Sequence, residues 1–343
     1  MQYITRDNLF KLIDQLTADY DVYVPVKKGQ QRYYAPYAED LDNIVLGEVR
    51  AFEPLKAFFM RAREVVSEGF KDAVPHAQDK PMAIIGVKAC DLKGFKVQDF
   101  VFKTDDCPDP SYIKNRQDNL IISSDCTCAI DTCFCLAMGI KPHPDQDYDV
   151  NLSEVEGVFL VQAGSPKGEE LLKKNASLLD TASQEMETKY EVNREAVINE
   201  VIGNLKKIDM PQEDQFKDII EKNYDADIWA DEAKTCVECG ACNTICPTCH
   251  CFFLSDQKKN DIMTRTRLWD SCLIKDFARV AGGANPRDKL WMRLRNRFDK
   301  KFDYFPKVAD IYACTGCGRC VAACPAKIDI RKVLKRLVDN VQK

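Results

Sequence analysis

The chain has 343 residues, of which 45% are hydrophobic and 30% are charged, and its formal net charge is −5. This length allows two or three domains, and the composition is that of a globular protein with a core, which excludes a disordered chain. The weak negative charge excludes a general electrostatic attraction to nucleic acid or to an anionic membrane surface.

The N-terminal segment predicts an amphipathic helix. Its apolar residues recur at helical spacing, namely Leu9, Leu12, Ile13 and Leu16. Nothing there has the apolar core of a signal peptide, and no run in the chain approaches the roughly 20 apolar residues that cross a bilayer. We therefore expect a cytoplasmic protein that does not enter a membrane.

Strand and helix patterns alternate through the next part of the chain. The predicted strands are 22–26 and 32–37, which form a hairpin, followed by 82–87, 119–123 and 157–163. A helical pattern follows the strand at 82–87. Because strands that alternate with helices are typical of α/β proteins, we predict an α/β domain over residues 1–230.

Seventeen cysteines are the outstanding feature of the composition. In a long chain without a signal peptide, clustered thiols indicate metal ligands rather than disulfides. With only three histidines, zinc sites of the Cys₂His₂ type are not expected. Six cysteines lie between Cys90 and Cys135, and eleven lie between Cys236 and Cys324.

Four cysteines of the first group are candidates for one metal site. Cys90 and Cys126 each follow a predicted strand, and Cys133 and Cys135 lie in the loop that comes next. If the two strands are parallel neighbours, these thiols meet at one edge of the sheet. The residues alone leave two interpretations equally open, a third iron–sulfur cluster or buried structural thiols. The remaining two, Cys107 and Cys128, are expected to be ordinary thiols.

The second group contains one motif twice. Residues 236–247 read CVECGACNTICP and residues 314–325 read CTGCGRCVAACP, which are both C-x₂-C-x₂-C-x₃-C-P. This is the bacterial ferredoxin pattern for [4Fe–4S] clusters. Since the fourth cysteine of each motif ligates the other cluster in two-cluster ferredoxins, two crossed ligand sets are expected. One is Cys236, Cys239, Cys242 and Cys324, and the other is Cys314, Cys317, Cys320 and Cys246.

Two other interpretations of these motifs are weaker. Zinc sites with four cysteines rarely show this spacing twice. The run from Cys242 through Cys246 to Cys249 also matches the C-x₃-C-x₂-C pattern of radical-SAM enzymes, but it overlaps the ferredoxin motif completely and no barrel repeat surrounds it.

The second domain, 231–343, is predicted to be a mostly helical dicluster ferredoxin-like domain. Its motifs are separated by an insert that we also expect to be helical, and residues 257–307 of this insert carry fourteen Lys and Arg against six Asp and Glu. Three interpretations of this basic insert stay open, namely charge balance for anionic clusters, docking to an acidic partner and a nucleic-acid surface.

Several stretches together resemble one known family. They are GVKACDLKGF, CAIDTCFCLAMG, CVECGACNTICPTCHCF, RLWDSC, VAGGANPR and CTGCGRCVAACP, in this order, within residues 82–330. They resemble the iron–sulfur component of anaerobic sulfite reductase and, equally, the β subunit of cytoplasmic NAD(P)-linked nickel–iron hydrogenases, or sulfhydrogenases. The family pattern includes cysteines that match Cys90, Cys126, Cys133 and Cys135, so the resemblance favours the third cluster.

The resemblance implies an electron-transfer subunit without catalysis of its own. It would stand between a subunit that binds FAD and reacts with NAD(P)H and a catalytic redox subunit, and it would bind neither flavin nor nicotinamide itself. Two alternatives are a self-sufficient iron–sulfur reductase of a sulfur compound and an iron–sulfur protein that binds nucleic acid. The family pattern also includes Cys249, Cys251 and Cys272, whose role does not follow from the sequence.

Overall fold

A computed structural model describes residues 1–38, 43–72, 80–259 and 261–342. Its strands are β1 Gln2–Thr5, β2 Asp21–Lys28, β3 Gln31–Pro36, β4 Arg63–Glu68, β5 Lys71–Asp72, β6 Met82–Val87, β7 Leu120–Ser124, β8 Val150–Val155, β9 Val158–Ala163, β10 Leu179–Thr181, β11 Phe252–Lys259 and β12 Ile262–Trp269. They form a large sheet in the order β10-β1-β9-β8-β7-β6-β2-β3 and a small sheet in the order β11-β12-β4-β5.

Helices surround both sheets. They are α1 Arg6–Leu16, α2 Ala89–Leu92, α3 Gly94–Phe102, α4 Pro110–Asp118, α5 Pro166–Lys174, α6 Gln184–Lys207, α7 Ile219–Lys222, α8 Ile228–Ala233, α9 Ala241–Thr244, α10 Leu290–Asp299, α11 Phe305–Ala309, α12 Arg319–Ala322 and α13 Ile330–Val341. A π-helical turn, Lys300–Tyr304, joins α10 to α11. No helix in the described ranges is long and apolar enough to cross a membrane.

The centre of the large sheet is parallel. Strands β2, β6, β7 and β8 pair in parallel, whereas the outer strands pair antiparallel. The predicted strands and the predicted hairpin are therefore confirmed, as is the mixed α/β character of the N-terminal part. Helix α1 begins after Thr5, whose side chain accepts a hydrogen bond from the backbone N–H of Asn8. Its buried face is the one that the periodicity predicts, and it packs against the large sheet.

The insert between the two cysteine motifs contains a β-hairpin, so the prediction of a helical insert is wrong for residues 252–269. Strands β11 and β12 pair in register from Phe252–Trp269 to Lys259–Ile262, and β12 then pairs with β4 from the N-terminal part. Strand β11 lies at the edge of its sheet and exposes both faces, so its residues lack the strict alternation of a half-buried strand. Helices α10 and α13 confirm the helical patterns elsewhere in this part.

The two parts of the chain pack together closely. A single cluster of buried apolar residues includes Phe134 from the N-terminal part and Trp229, Phe298 and Leu334 from the rest of the chain. The division at residue 231 stays a prediction, and helix α8 runs across that position. The loops after β6 and β7 face the second cysteine motif across this shared core.

Candidate metal centres

Four cysteines of the N-terminal part meet at one edge of the large sheet, and we call them the edge set. They are Cys90, Cys126, Cys133 and Cys135, and all four line one cavity. Strands β6 and β7 are parallel neighbours, with Ile85 opposite Ile122. Their carboxyl ends therefore lie side by side, as the sequence analysis required for Cys90 and Cys126 to meet at one edge of the sheet. Cys90 lies in α2, directly after β6, and Cys126 follows β7.

The first ferredoxin motif and the last cysteine of the second motif surround another cavity, and we call their cysteines the outer set. It is lined by Cys236, Cys239, Cys242 and Cys324. Gly240 has φ of +69°, which lets the loop turn into the short helix α9 and present Cys242 on the same side as Cys239. The structure thus brings together the four cysteines of one predicted crossed set, and their joint ligation of a cluster stays a prediction.

The other four predicted ligands form the inner set, which is Cys246, Cys314, Cys317 and Cys320. The Cys314 thiol interacts electrostatically with those of Cys320 and Cys246, and the Cys320 thiol interacts with those of Cys317 and Cys246. Cys246 therefore lies with the second motif rather than with its own, as crossed ligation requires.

The inner set lies between the other two. Its Cys317 lines the cavity of the edge set together with Gly316, while its Cys320 lines the cavity of the outer set. The backbone N–H of Phe134, between two cysteines of the edge set, donates to the carbonyl of Gly316 at 2.9 Å. The three sets therefore follow one another in the order edge, inner, outer.

Burial makes these thiols hard to ionise without a metal. Burial raises the pKa of Cys126, Cys242 and Cys314 to about 12, although Lys88, Arg297 and Lys301 respectively oppose the rise. A metal centre needs thiolate ligands, and its own positive charge stabilises them. The donor sets, which consist of thiols grouped around cavities, fit iron–sulfur clusters.

Buried cations lie in both gaps between the sets. Arg319 is 2% exposed, donates to Asp91 Oδ2 at 2.7 Å and stands beside the thiols of Cys317 and Cys90. Arg297 is 5% exposed and lies beside the thiols of Cys242, Cys320 and Cys246. One arginine thus stands between the edge and inner sets, and another stands between the inner and outer sets.

A lysine contacts the inner set directly. Lys301 Nζ donates to Cys246 Sγ at 3.3 Å and to Thr248 Oγ1 at 2.9 Å. Burial would raise the pKa of Cys246, yet Lys301 beside it brings this pKa down to about 7. The sequence reasoning identified neither Lys301 nor Arg319 individually. Lys301 belongs to the basic excess of residues 257–307, whereas Arg319 lies inside the second motif and gave no separate signal.

Three arginines of the basic insert point inward. Arg293, Arg295 and Arg297 on α10 are at most 9% exposed. Arg293 Nε donates to the carbonyl of Leu273, and Arg295 stacks on the ring of Tyr224 at 3.5 Å. These three arginines therefore face the core rather than the protein surface.

Three further cysteines, Cys249, Cys251 and Cys272, interact electrostatically with one another, and we call them the thiol triad. Interaction with Cys251 lowers the pKa of Cys272 to about 6, and together with Lys56 it holds the pKa of Cys249 well below its usual range. Cys128, expected to be an ordinary thiol, also lines the edge cavity, whereas Cys107 is exposed.

Two comparisons with known proteins bear on these centres. A family model described as a 4Fe-4S dicluster domain matches residues 235–328, and its description supports two [4Fe–4S] clusters. The chain is also 31% identical over 322 residues to the sulfhydrogenase 2 subunit beta of Pyrococcus furiosus, and the match covers 93% of each chain.

Proposed function

Because the chain belongs to the family of sulfhydrogenase β subunits, we propose that it carries electrons within a redox complex, between one subunit that contains flavin and another that is catalytic. The observation that carries this proposal is the consecutive order of the three thiol sets. Cys317 joins the edge set to the inner set, and Cys320 joins the inner set to the outer set.

The proposed ligands are the three sets in full. The edge set would hold a third [4Fe–4S] cluster, and the outer and inner sets would hold the two clusters of the dicluster domain. Such clusters supply one-electron redox centres whose potentials depend on nearby charge, hydrogen bonds and exposure to solvent. The protein's own contribution is to fix the distances and the surroundings of these centres.

The chain's buried groups are suited to that task. Arg319 and Arg297 each stand between two anionic centres, so each cation lowers the electrostatic cost of placing negative charge on either side. The apolar cluster that includes Phe134, Phe298 and Leu334 keeps water away from the gap between the parts. No acid–base group is needed, since electron transfer between clusters breaks no bond of a substrate.

The outer set is proposed as one end of the route. Cys239 is exposed, and its neighbour Val237 is 63% exposed, so this set lies near the surface. A partner that covers this surface would come close enough to exchange electrons and would also exclude water. Following the family resemblance, we propose that FAD and NAD(P)H bind to one partner and that the chemical substrate binds to another.

The experiment begins with the complete chain purified without oxygen. We expect about twelve iron and about twelve sulfide per chain from three clusters, no flavin, and no oxidation of NAD(P)H by the chain alone. Adding the flavin-containing subunit of the same complex should then allow NAD(P)H to bleach the visible absorption of the clusters.

The outcomes separate the parts of the proposal. About eight iron per chain would remove the third cluster and leave the dicluster domain. Turnover of a sulfur compound by the chain alone would support the self-sufficient reductase instead. Zinc in place of iron would overturn the proposal as a whole.

A further inference from the structure

Large apolar side chains are exposed beside the outer set. Val237, between two of its cysteines, is 63% exposed, and Ile274, from the insert, is 44% exposed. Ile274 lies against the first motif, because a Cβ added at Gly240 would stand 3.9 Å from Ile274 Cδ1. Exposed apolar side chains that gather at one place are typical of a surface that another molecule covers.

A buried arginine fastens part of the basic insert, residues 273–289, to the first motif, and we call this part the outer segment. Arg293 is 1% exposed, and its Nε donates to the carbonyl of Leu273 at 2.9 Å. Its Nη1 donates to the carbonyls of Arg287 and Asp288 at 2.9 Å and 2.8 Å. Its Nη2 lies 2.8 Å from Glu238 Oε2 in the first motif. One guanidinium therefore holds both ends of the outer segment against the loop of the outer set.

Hydrogen bonds within the outer segment fix its shape. Asn285 Nδ2 donates to the carbonyl of Lys275 at 2.6 Å, and Asn285 Oδ1 accepts from the N–H of Arg287 at 3.0 Å. The N–H of Val280 donates to the carbonyl of Ala284 at 2.9 Å. The segment is thus an ordered turn, and it presents Val280, which is 54% exposed, to the outside.

The charge of the outer segment is positive, although the whole chain has a formal net charge of −5. The segment carries four basic residues against two acidic ones, namely Lys275, Arg279, Arg287 and Lys289 against Asp276 and Asp288. Lys275 and Arg279 are exposed, and neither forms an ion pair in the part of the chain that the structure describes. Across the outer cavity, Lys327 follows two lining residues and is exposed and unpaired in the same sense. These cations therefore surround the apolar side chains with unneutralised positive charge.

We propose that this surface, which consists of Val237, the outer segment and Lys327 and which we call the outer face, docks the protein partner that exchanges electrons with the outer set. The partner presents an apolar centre within a rim of Asp and Glu. Opposite charges guide the encounter and fix its orientation, while the apolar contact excludes water and supplies affinity. The inference rests on the proposed function only in that the outer set holds a redox centre.

The apolar residues distinguish this partner from a nucleic acid. Phosphate groups would pair with Lys275, Arg279 and Lys327, but they would leave Val237 and Val280 exposed. A protein surface with acidic groups around an apolar centre covers both kinds of residue. Of the three interpretations of the basic insert, docking to an acidic partner is therefore the one that its exposed residues favour.

The first test uses the complete redox complex, purified without oxygen and with its clusters bound. A carbodiimide condenses a Lys amine with a carboxylate that touches it, and the linked peptides are identified by mass spectrometry after digestion. We expect Lys275 or Lys327 to be joined to an Asp or Glu of another subunit. Lys28, which is exposed at the end of β2, is the matched control and should form no such link.

The second test measures how fast the complete chain associates with the linked subunit. The double variant Lys275→Glu and Arg279→Glu should associate about tenfold more slowly at low salt. The difference from the wild type should disappear near about 1 M salt, because salt screens exposed charges. Lys28→Glu should associate at the rate of the wild type, and all variants should keep the wild-type iron content.

The third test addresses the apolar centre. Val280→Ser should raise the dissociation rate by about fivefold, since it removes apolar area from the contact without changing charge, and the salt dependence should stay that of the wild type. Val192→Ser is the matched control, because Val192 on α6 is 61% exposed and lies outside the outer face. Its dissociation rate should be unchanged.

Three results would overturn the inference. The first is the absence of links from both Lys275 and Lys327 in an intact complex, or linking of Lys28 to the same extent. The second is association of the double variant at the wild-type rate. The third is salt-sensitive binding of DNA or RNA that the double variant loses, which would assign the outer face to nucleic acid.

The proposed function fails in a different way. A wild-type chain that binds its partner through the outer face but exchanges no electrons with it would contradict the electron-transfer role and leave the docking inference intact. Normal electron transfer that responds neither to salt nor to the double variant would do the opposite.

Discussion

The edge set and the two crossed sets bring thiols together by different means. In the crossed sets, most of the ligands come from tight loops in which two residues separate successive cysteines. In the edge set, Cys90 and Cys126 come from the ends of two strands and meet only because β6 and β7 pair in parallel. The first arrangement is local in sequence, whereas the second depends on the formation of a sheet.

This difference has consequences for stability. A ferredoxin motif can gather three thiolates around iron before the rest of the chain has folded, because its ligands lie within one short loop. The edge set needs the completed large sheet, and it also needs the contact between the Phe134 N–H and the Gly316 carbonyl. Substitutions that separate the two parts of the chain should therefore damage the edge centre first.

The largest effect is expected at the cysteine that crosses between motifs. Cys246→Ser removes a ligand of the inner set, the middle centre of the route, although Cys246 belongs to the first motif in sequence. We expect the loss of up to about four iron per chain and the loss of partner-dependent electron transfer. Iron analysis and EPR spectra of the reduced protein measure this, with Cys107→Ser as the exposed control.

A different result at this position would change the assignment of ligands. If Cys246→Ser altered the EPR signal of the outer set and left that of the inner set intact, each motif would ligate its own cluster. The position of Cys246 beside Cys314 and Cys320 would then have no role in ligation.

The next effect concerns the edge set alone. Cys133→Ser should reduce the iron content from about twelve to about eight per chain and leave the signals of the dicluster domain, because its thiol lines the edge cavity and belongs to neither crossed set. Cys128→Ser is the matched control, since Cys128 lines the same cavity but is absent from the predicted ligand set. Equal iron loss in the two variants would show that Cys128 is also a ligand.

A smaller effect is expected where the two parts of the chain touch. At Gly318, φ is +71°, and an added Cβ would overlap the carbonyl oxygen of Thr132. Gly318→Ala should lower the free energy of unfolding by about 3 kcal/mol through strain and a backbone clash, as measured by anaerobic denaturation. Gly29→Ala isolates the strain, because Gly29 has φ of +62° and open space around it, and it should cost about 1 kcal/mol.

The rate at which the edge cluster loses iron in the same variant is a second measurement. Gly318→Ala moves the loop that carries Thr132, next to Cys133, so we expect the edge centre to lose iron more quickly than the dicluster domain on exposure to a chelator. The same rate of loss from both would contradict the view that only the edge centre depends on contact between the two parts.

The sequence predicts these two kinds of site to different extents. The spacing of the ferredoxin motifs, together with the crossed ligation of two-cluster ferredoxins, predicts that Cys246 is a ligand of the second motif's cluster. For Cys90 and Cys126, the sequence indicated two strands but left their adjacency as a condition, because strand order depends on contacts far apart in the chain. The hairpin of β11 and β12 was missed for a similar reason, since its pairing with β4 stabilises strands whose own pattern is weak.

The buried cations could not be assigned from sequence at all. An excess of Lys and Arg in residues 257–307 is visible, but whether such a residue points to solvent or to a thiol depends on the packing of its helix. Arg295 and Arg297 lie on the same helix and are both buried, yet only Arg297 contacts a cysteine thiol.

This pair of arginines gives the most subtle test. Arg297→Gln removes the cation between the inner and outer sets, so added electrons become less stable on both clusters and their reduction potentials should fall by on the order of 60 mV, or about 1.4 kcal/mol. Arg295→Gln is the matched control, because Arg295 stacks on Tyr224 instead, and its potentials should stay at those of the wild type. Potentiometric titrations followed by EPR resolve each cluster.

The reduction potential of the edge centre should not respond to either change, since Arg319 rather than Arg297 stands beside it. If the potential of the edge centre shifted as much as that of the outer centre, the charge of Arg297 would act on the whole domain rather than across one gap.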